Sequence, residues 1–341
     1  MEPNEQNRHT TKQHPIGSPF NAFSTAEEVI SGVDLTNKTA IVTGGYSGIG
    51  FETVRALHKA GAHVIVPTRD LSRSRELFRD FGNRVELHEM DLLDPRSIDR
   101  FAATFMSSHR PLHILINNAG IMASPLQRDH RGYESQFATN HLGHFQLTAR
   151  LWPALQKAKG ARVISVSSLG HRFSPVLFED PNFNHIPYDR WIAYGQSKTA
   201  NILFAVALDE RGKSQQIRAF SLHPGRVIDT SLKKYLTEDD LQAMGAVDND
   251  NKRVNDPVNP LKTIEEGAAT TVWCATSPAL ADMGGVYCAN CKIAEVMQQS
   301  VGGVKNSSGM NGVLPYAIDP AQASKLWLLS EQLTGITFGT E

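Results

Sequence analysis

Cysteine is scarce in this 341-residue sequence: Cys274, Cys288 and Cys291 are too few, and odd in number, for a disulfide framework. That usage fits a reducing compartment. Long apolar runs are missing too, and the first forty residues are polar, with no basic stretch leading into an apolar one. Neither a membrane span nor a secretory leader is expected. Charge of one sign is never concentrated: 34 Lys and Arg face 35 Asp and Glu, a formal net charge of −1. This argues against a nucleic-acid or membrane-surface partner. A metal centre is not expected, because Cys288-x-x-Cys291 lacks a second Cys/His pair, and His141 and His144 lack the Glu and third ligand of a metalloprotease pattern. No nucleophile-elbow motif makes a serine hydrolase of Ser168. The expectation is a soluble cytoplasmic protein acting on a small molecule, its oligomeric state left open.

With 40% hydrophobic and 20% charged residues, the chain can build a sizeable core. Length alone suggests about two domains, but the pattern reads as one. Residues 1–33 form a polar arm, flexible or draped on the surface, with a short helix capped by Ser24 or Thr25 and carrying Glu27 and Glu28 in its first turn. A β-branched run followed by helical periodicity then recurs through residues 34–290. Strands are expected at 39–43, 63–68, 85–89, 113–117, 162–166, 218–223 and near 285–288. Helices are expected at 48–59, 72–80, 97–107, 134–157, 193–211 and 264–276. Runs such as Ile114-Leu115-Ile116 are apolar without alternation, as parallel strands covered on both faces require. The fold class is therefore α/β, a doubly wound, seven-stranded parallel sheet with helices on both faces, followed by a C-terminal extension, 291–341. Two irregular stretches, 170–192 and 226–262, follow strand ends where open α/β sheets bind ligands, and are expected to wall a pocket.

The first strand runs into Thr43-Gly44-Gly45-Tyr46-Ser47-Gly48-Ile49-Gly50 and then a helix. Glycines there permit a tight turn and close approach to a pyrophosphate, and the helix N-terminus supplies free N–H groups. At the end of the second strand, Thr68 is neutral where an NAD enzyme carries an acid, and Arg69 offers a guanidinium suited to a 2′-phosphate. NADP(H) is the expected cofactor, unless Arg69 is occupied by Asp70 or Glu76. Tyr194 and Lys198 stand four apart on a helix and so share a face. A neighbouring ammonium favours the phenolate and would make Tyr194 a usable acid/base.

The spacing Gly-x-x-x-Gly-x-Gly, with Asn117-Asn118-Ala119-Gly120, Ser167-Ser168, Tyr194-Gly195-Gln196-Ser197-Lys198 and Pro224-Gly225 in order, resembles the short-chain dehydrogenase/reductase family over residues 34–285. The stretch from Ser168 to Asn201 is most similar to the branch holding retinol dehydrogenases, WW-domain oxidoreductase and protochlorophyllide reductase. The resemblance implies Tyr194 as acid/base, Lys198 as its partner and ribose clamp, Ser168 rather than Ser167 as the catalytic serine, and Asn140 as holder of a relay water. It implies cofactor contacts from Gly44, Tyr46, Ser47, Gly48, Ile49, Gly50, Asp91, Leu92, Asn117, Ala119, Gly120, Pro224, Gly225, Val227 and Thr230. Asn117 could equally be a structural tie. Met122, Leu169, His171, Phe173, Trp191 and Arg226 are expected to bound the substrate pocket. By analogy the substrate is a hydrophobic or aromatic carbonyl or secondary alcohol. The other reading is a regulatory or scaffolding protein that keeps the dinucleotide site without turnover.

Overall fold

The computed structural model describes residues 13–250, 252–254, 256, 260–297 and 312–338. The strands are β1 (Thr39–Val42), β2 (His63–Thr68), β3 (Val85–Glu89), β4 (Ile114–Asn117), β5 (Ala161–Val166), β6 (Ile217–Leu222), β7 (Val286–Ala289) and β8 (Lys292–Ile293). They form one sheet in the order β3-β2-β1-β4-β5-β6-β7-β8. Every neighbouring pair is parallel except β7 with β8.

The sheet has eight strands where seven were expected, because the chain reverses after β7 through Asn290 and Cys291, both in the left-handed region at φ 50° and 55°. Two consecutive positive φ values close a two-residue hairpin whose twist matches its strands. Without glycine at either position, and with only two residues to follow, the return left no periodic signal. The sheet thus runs past the boundary expected at 290.

Apolar runs stay continuous because both faces are covered. Along β1, β4 and β5, Ile41, Leu115 and Val163 enter one core, while Ala40, Val42, Ile114, Ile116, Ile164 and Val166 enter the other. The second core lies under α1 (Ala26–Ile30), α2 (Gly48–Lys59) and α10 (Ile264–Thr276). The first lies under α4 (Pro95–Ser107), α6 (Gly143–Arg150), α8 (Arg190–Gly212) and α11 (Pro320–Thr334). Local signals set the helix starts: Thr25 with Glu28 and Thr263 with Glu266 form capping boxes, and Asp94 caps α4 ahead of Pro95. The remaining helices are α3 (Leu71–Leu77), α5 (Ser135–Phe137), α7 (Trp152–Lys157) and α9 (Glu238–Ala243).

The continuous helix expected over 134–157 is instead broken twice. Residues 138–142 form a π turn between α5 and α6, and Leu151 (φ −93°, ψ 2°) separates α6 from α7. Pro153 explains the second break, since it has no N–H to give back to the preceding turn. Both ends of the described stretch pack on the core. Gln13 is buried, its amide donating to the carbonyls of Tyr287 and Ala294 at 2.7 Å each and accepting from the Tyr287 N–H at 2.8 Å. Trp327 of α11 packs 5.2 Å from Phe145 and 4.4 Å from Phe338 between ring centroids. The rest of the expected arm, residues 1–12, lies outside the described residues.

Candidate active site

The turn after β1 is tight and leaves no room for side chains at its glycines. Gly44 and Gly48 take positive φ (65° and 51°), and a Cβ on Gly50 would stand 2.3 Å from the Gly44 carbonyl oxygen. Ser47 caps α2 without a side-chain hydrogen bond, so the first-turn N–H groups keep no side-chain partner. Thr230 lies over Gly48, Val227 and Ile49 meet above Gly267, and Tyr46 packs on the neighbouring core. Those residues converge on one mouth. Leu92 presses on Gly143 of α6, and the Asp91 carboxylate accepts from Leu93 N–H at 3.0 Å.

Thr43 and Asn118, neither singled out from the sequence, hold this mouth together. Thr43 Oγ1 accepts from the N–H groups of Asn118 (2.9 Å) and Ala119 (3.0 Å), and Asn118 donates to the Thr43 carbonyl at 2.8 Å. The Asn117 side chain is buried and donates to Thr148 at 3.2 Å. With both lone pairs of Thr43 Oγ1 engaged, its proton goes to His144 Nε2 at 2.9 Å or, less directly, to the Ile116 carbonyl at 3.3 Å. His144 Nδ1 faces the Asn140 carbonyl at 3.0 Å, which only accepts, so the ring is assigned as the Nδ1–H tautomer with Nε2 free to accept. Burial holds its pKa down to about 4, keeping it neutral. His144 therefore joins the glycine turn after β1 to Asn140. Its neighbour His141 points the other way, to Ser330 at 2.7 Å. The two do not converge, and among the described residues no three His, Cys, Asp or Glu side chains cluster to hold a metal.

Asn140 lies inside the π turn, where the Gly143 N–H reaches back five residues to the Ala138 carbonyl. Such bulges recur where a helix must present a functional group. Asn140 Oδ1 accepts from Ile121 N–H at 2.9 Å, and Nδ2 donates to the Ile121 carbonyl (3.0 Å) and Ser197 (2.9 Å). A Cβ on Gly120 would lie 3.0 Å from Asn140 Oδ1 and 3.4 Å from Lys198 Nζ, so both side chains border the same small space.

Asp189 caps α8 by accepting from Trp191 and Ile192, and the helix carries Tyr194 and Lys198 into the interior, 2% and 4% exposed. The ammonium stands 5.7 Å from the Tyr194 ring centroid and donates to the Val166 carbonyl at 3.1 Å. Burial pushes the phenol up to about 12, opposed by its hydrogen bond with Ser168, and pulls the ammonium down to about 8. In the chain by itself desolvation outweighs the acidifying pull expected of Lys198. Ser167 and Ser168 divide their work: Ser167 donates to the Lys198 carbonyl at 2.7 Å, while Ser168 reaches Tyr194 and accepts from Gly170 N–H at 3.0 Å. Gly170 has no room for a side chain, since its Cβ would stand 2.6 Å from the tyrosine ring.

Beside the phenol, Met122, Ala123 and Tyr194 form a small apolar cluster with Trp191, Leu232 and Leu236. The two leucines were not named from the sequence; they come from the stretch 226–262, which is partly helical, with a 3₁₀ turn at Ser231–Tyr235 before α9. Phe173 is 51% exposed and meets Trp191 edge-on at 5.6 Å, and Leu169 is half-buried beside it. Arg226 donates to the Met244 carbonyl at 2.9 Å. His171 is a correction: it is buried against Tyr287, donates from Nδ1 to the Ser168 carbonyl (2.8 Å) and accepts from Leu314 N–H (3.3 Å), which removes it from the pocket wall. Pro224 and Gly225 follow β6, with Gly225 (φ 90°) pressed against Lys262. Arg69 is exposed and, among the described residues, makes no ion pair: Asp70 instead caps α3, and Glu76 pairs with Arg79 at 3.1 Å. Cys274, Cys288 and Cys291 are buried, unbridged thiols.

The sequence profile of the family described as short chain dehydrogenase matches residues 38–241. The chain belongs to that family. It is 41% identical over 301 residues to a Streptomyces antibioticus protein named "Probable oxidoreductase", covering 86% of this chain and 97% of that one. A WW domain-containing oxidoreductase from Gallus gallus is 36% identical over 290 residues, 81% of this chain and 67% of that protein. The crystal structure of an uncharacterized protein from Mycobacterium Paratuberculosis superposes with TM-score 0.68 at 31% identity, covering 91% of this chain and 98% of that one. Family membership makes the chain an oxidoreductase by kinship. Among the described residues no helix is long and apolar enough to cross a membrane.

The buried histidines give this family member a pH-dependent stability. His141, His144 and His171 are held at about 3, 4 and 4 by burial, against about 6.5 in an unfolded chain. Their folded-state values are depressed, so their contribution is complete above pH 6.5 and is lost as pH falls toward 4, where the unfolded chain takes up protons that the folded one refuses. Each contributes up to ~1.4 kcal/mol per pH unit, and the upward shift of Glu134, caused by its burial, acts in the opposite direction. The urea midpoint is expected to fall steadily from pH 7 to pH 5; a flat midpoint would show these rings are not buried neutral.

Proposed function

We propose that the chain is an NADP(H)-dependent oxidoreductase that interconverts a hydrophobic or aromatic carbonyl compound and its secondary alcohol. It works as one catalytic unit, in the cytoplasm, a compartment that suits its three unbridged thiols. The observation that carries this reading is the convergence of Tyr194, Ser168, Lys198 and Asn140 beside a turn suited to a dinucleotide. When bound, the nicotinamide ring supplies or accepts hydride. The chain's own residues do the rest. Tyr194, its phenol held protonated by burial, donates a proton to a carbonyl oxygen, and Ser168 offers that oxygen a second hydrogen bond. Lys198 uses one N–H on Val166, and its other two suit the hydroxyls of a ribose. Asn140 Oδ1 borders the lysine, where a bridging water would let protons return to the site. A phenol resting in its acid form favours carbonyl reduction at neutral pH. The preference for NADP(H) is supported by Arg69, exposed beside a buried, neutral Thr68 and left without an ion pair by Asp70 and Glu76.

Purified protein mixed with NADPH and aromatic ketones is expected to consume the reduced nicotinamide absorbance. Tyr194→Phe should lower kcat by roughly 10²- to 10⁴-fold while NADPH still binds. NADPH binding without turnover on any carbonyl would instead favour the scaffolding reading. Arg69→Ala should raise the KM for NADPH at least about tenfold, the range of a lost charge-assisted contact, and leave the KM for NADH nearly unchanged. An equal change for both cofactors would remove Arg69 from phosphate recognition.

A further inference from the structure

Next to the Tyr194 cluster lies a cavity of about 440 Å³ lined by Ala123, Pro125, Tyr188, Asp189, Arg190 and Tyr235. Its volume is typical of small-molecule sites. Ala123 belongs both to this cavity and to the apolar wall against Tyr194. A molecule whose reacting oxygen meets the phenol would therefore enter the cavity by extending past Ala123.

The walls of this cavity are held in place by contacts unrelated to proton transfer. Ala123 sits at φ 49°, a strained value for alanine, and its N–H donates to Gln136 Oε1 at 2.9 Å. The Tyr188 hydroxyl donates to the Ser124 carbonyl at 2.9 Å and accepts from Gln136 Nε2 at 3.0 Å, while Phe183 meets its ring edge-on at 5.1 Å. With its hydroxyl engaged in this way, Tyr188 offers a ligand its ring. The opposite wall is pinned by one guanidinium. Arg190 donates to both carboxylate oxygens of Asp240, at 2.6 and 2.9 Å, and to the Tyr235 carbonyl at 3.2 Å. Asp240 in turn accepts from Thr237 N–H (2.8 Å) and Oγ1 (2.9 Å). The 3₁₀ turn bearing Tyr235 and the start of α9 are thereby fastened to the first turn of α8. The Lys234 ammonium lies 5.1 Å from the Tyr235 ring centroid, so that ring is already steadied by a cation.

We propose that this cavity is the subsite for a second, planar aromatic part of the substrate, flanked by the rings of Tyr188 and Tyr235, and that Arg190 is a positioning residue that sets its width. The two charged lining groups are already engaged, Asp189 by the N–H groups of Trp191 and Ile192 and Arg190 by Asp240, so the two tyrosines, the proline and the alanine are left to meet a flat apolar group. The proposal rests on the oxidoreductase reading and narrows its substrate class to carbonyl compounds with an extended aromatic group.

The test compares acetophenone with para-acetylbiphenyl, which share a reacting ketone and differ by one ring. The full chain with NADPH should favour the two-ring ketone by about tenfold in kcat/KM, the size of one well-placed apolar group. Tyr235→Ala and Arg190→Lys should each bring that ratio close to one, mainly through the KM of the two-ring ketone, and Tyr235→Phe should preserve it. Calorimetric titration of para-acetylbiphenyl into the Tyr194→Phe chain, with and without Tyr235→Ala, reads binding apart from turnover. Reduction of both ketones with a ratio indifferent to Tyr235→Ala and Arg190→Lys would overturn the subsite. Binding that depends on Tyr235 with no ketone reduced would uphold the subsite and overturn the oxidoreductase reading.

Discussion

An ammonium and a phenol, both almost fully withdrawn from water on one face of α8, set the terms for everything around them. Desolvation penalises the charged form of each, so it works against the ammonium of Lys198 and against the phenolate of Tyr194. The protein tolerates this because each group keeps a polar partner, the Val166 carbonyl for the lysine and Ser168 for the tyrosine. The chain by itself thus stores an acid rather than a base. Any further acidification of the phenol must come from charge brought by what binds.

The rest of the architecture aims that pair at the carboxyl ends of the central strands. The adjacent parallel strands β1, β4 and β5 bring the turn after β1, the ends of β4 and β5 and the α8 face to one crevice. Between them runs a chain of hydrogen bonds: Asn118 and Ala119 to Thr43, Thr43 to His144, His144 to the Asn140 carbonyl, and the Asn140 amide through Ser197 to the Tyr194 carbonyl. Each group in it is buried or half-buried, so removing a link would leave donors or acceptors without water to replace it. The glycine turn after β1 and the Tyr194–Lys198 pair are thereby tied into one hydrogen-bonded network.

Much of this was readable in the residue pattern, and the exceptions have physical causes. Strands buried on both faces announce themselves as apolar runs, and the glycine turn and the Tyr194–Lys198 spacing are local features that tertiary context does not alter. The hairpin into β8 was hidden because Asn290 and Cys291 do the work usually given to glycine. The π turn was hidden because it depends on Asn140 finding Ile121 and Ser197, which are distant in sequence. His171 was misplaced because Phe173, two residues on, meets Trp191 while the His171 ring turns toward Tyr287 of β7 and the Leu314 N–H, partners distant in sequence. Leu232 and Leu236 sat in a stretch with too little periodicity to show which side chains would turn inward.

The state of the phenol is the claim on which this account turns, and it can be read directly. With tyrosine labelled at the ring carbon that bears oxygen, and Tyr194→Phe to assign the signal, NMR titration of the cofactor-free chain should show Tyr194 still protonated beyond pH 9, as a group held at about 12 requires. A phenolate forming below pH 8 without cofactor would mean that Lys198 outweighs burial, and would contradict the account.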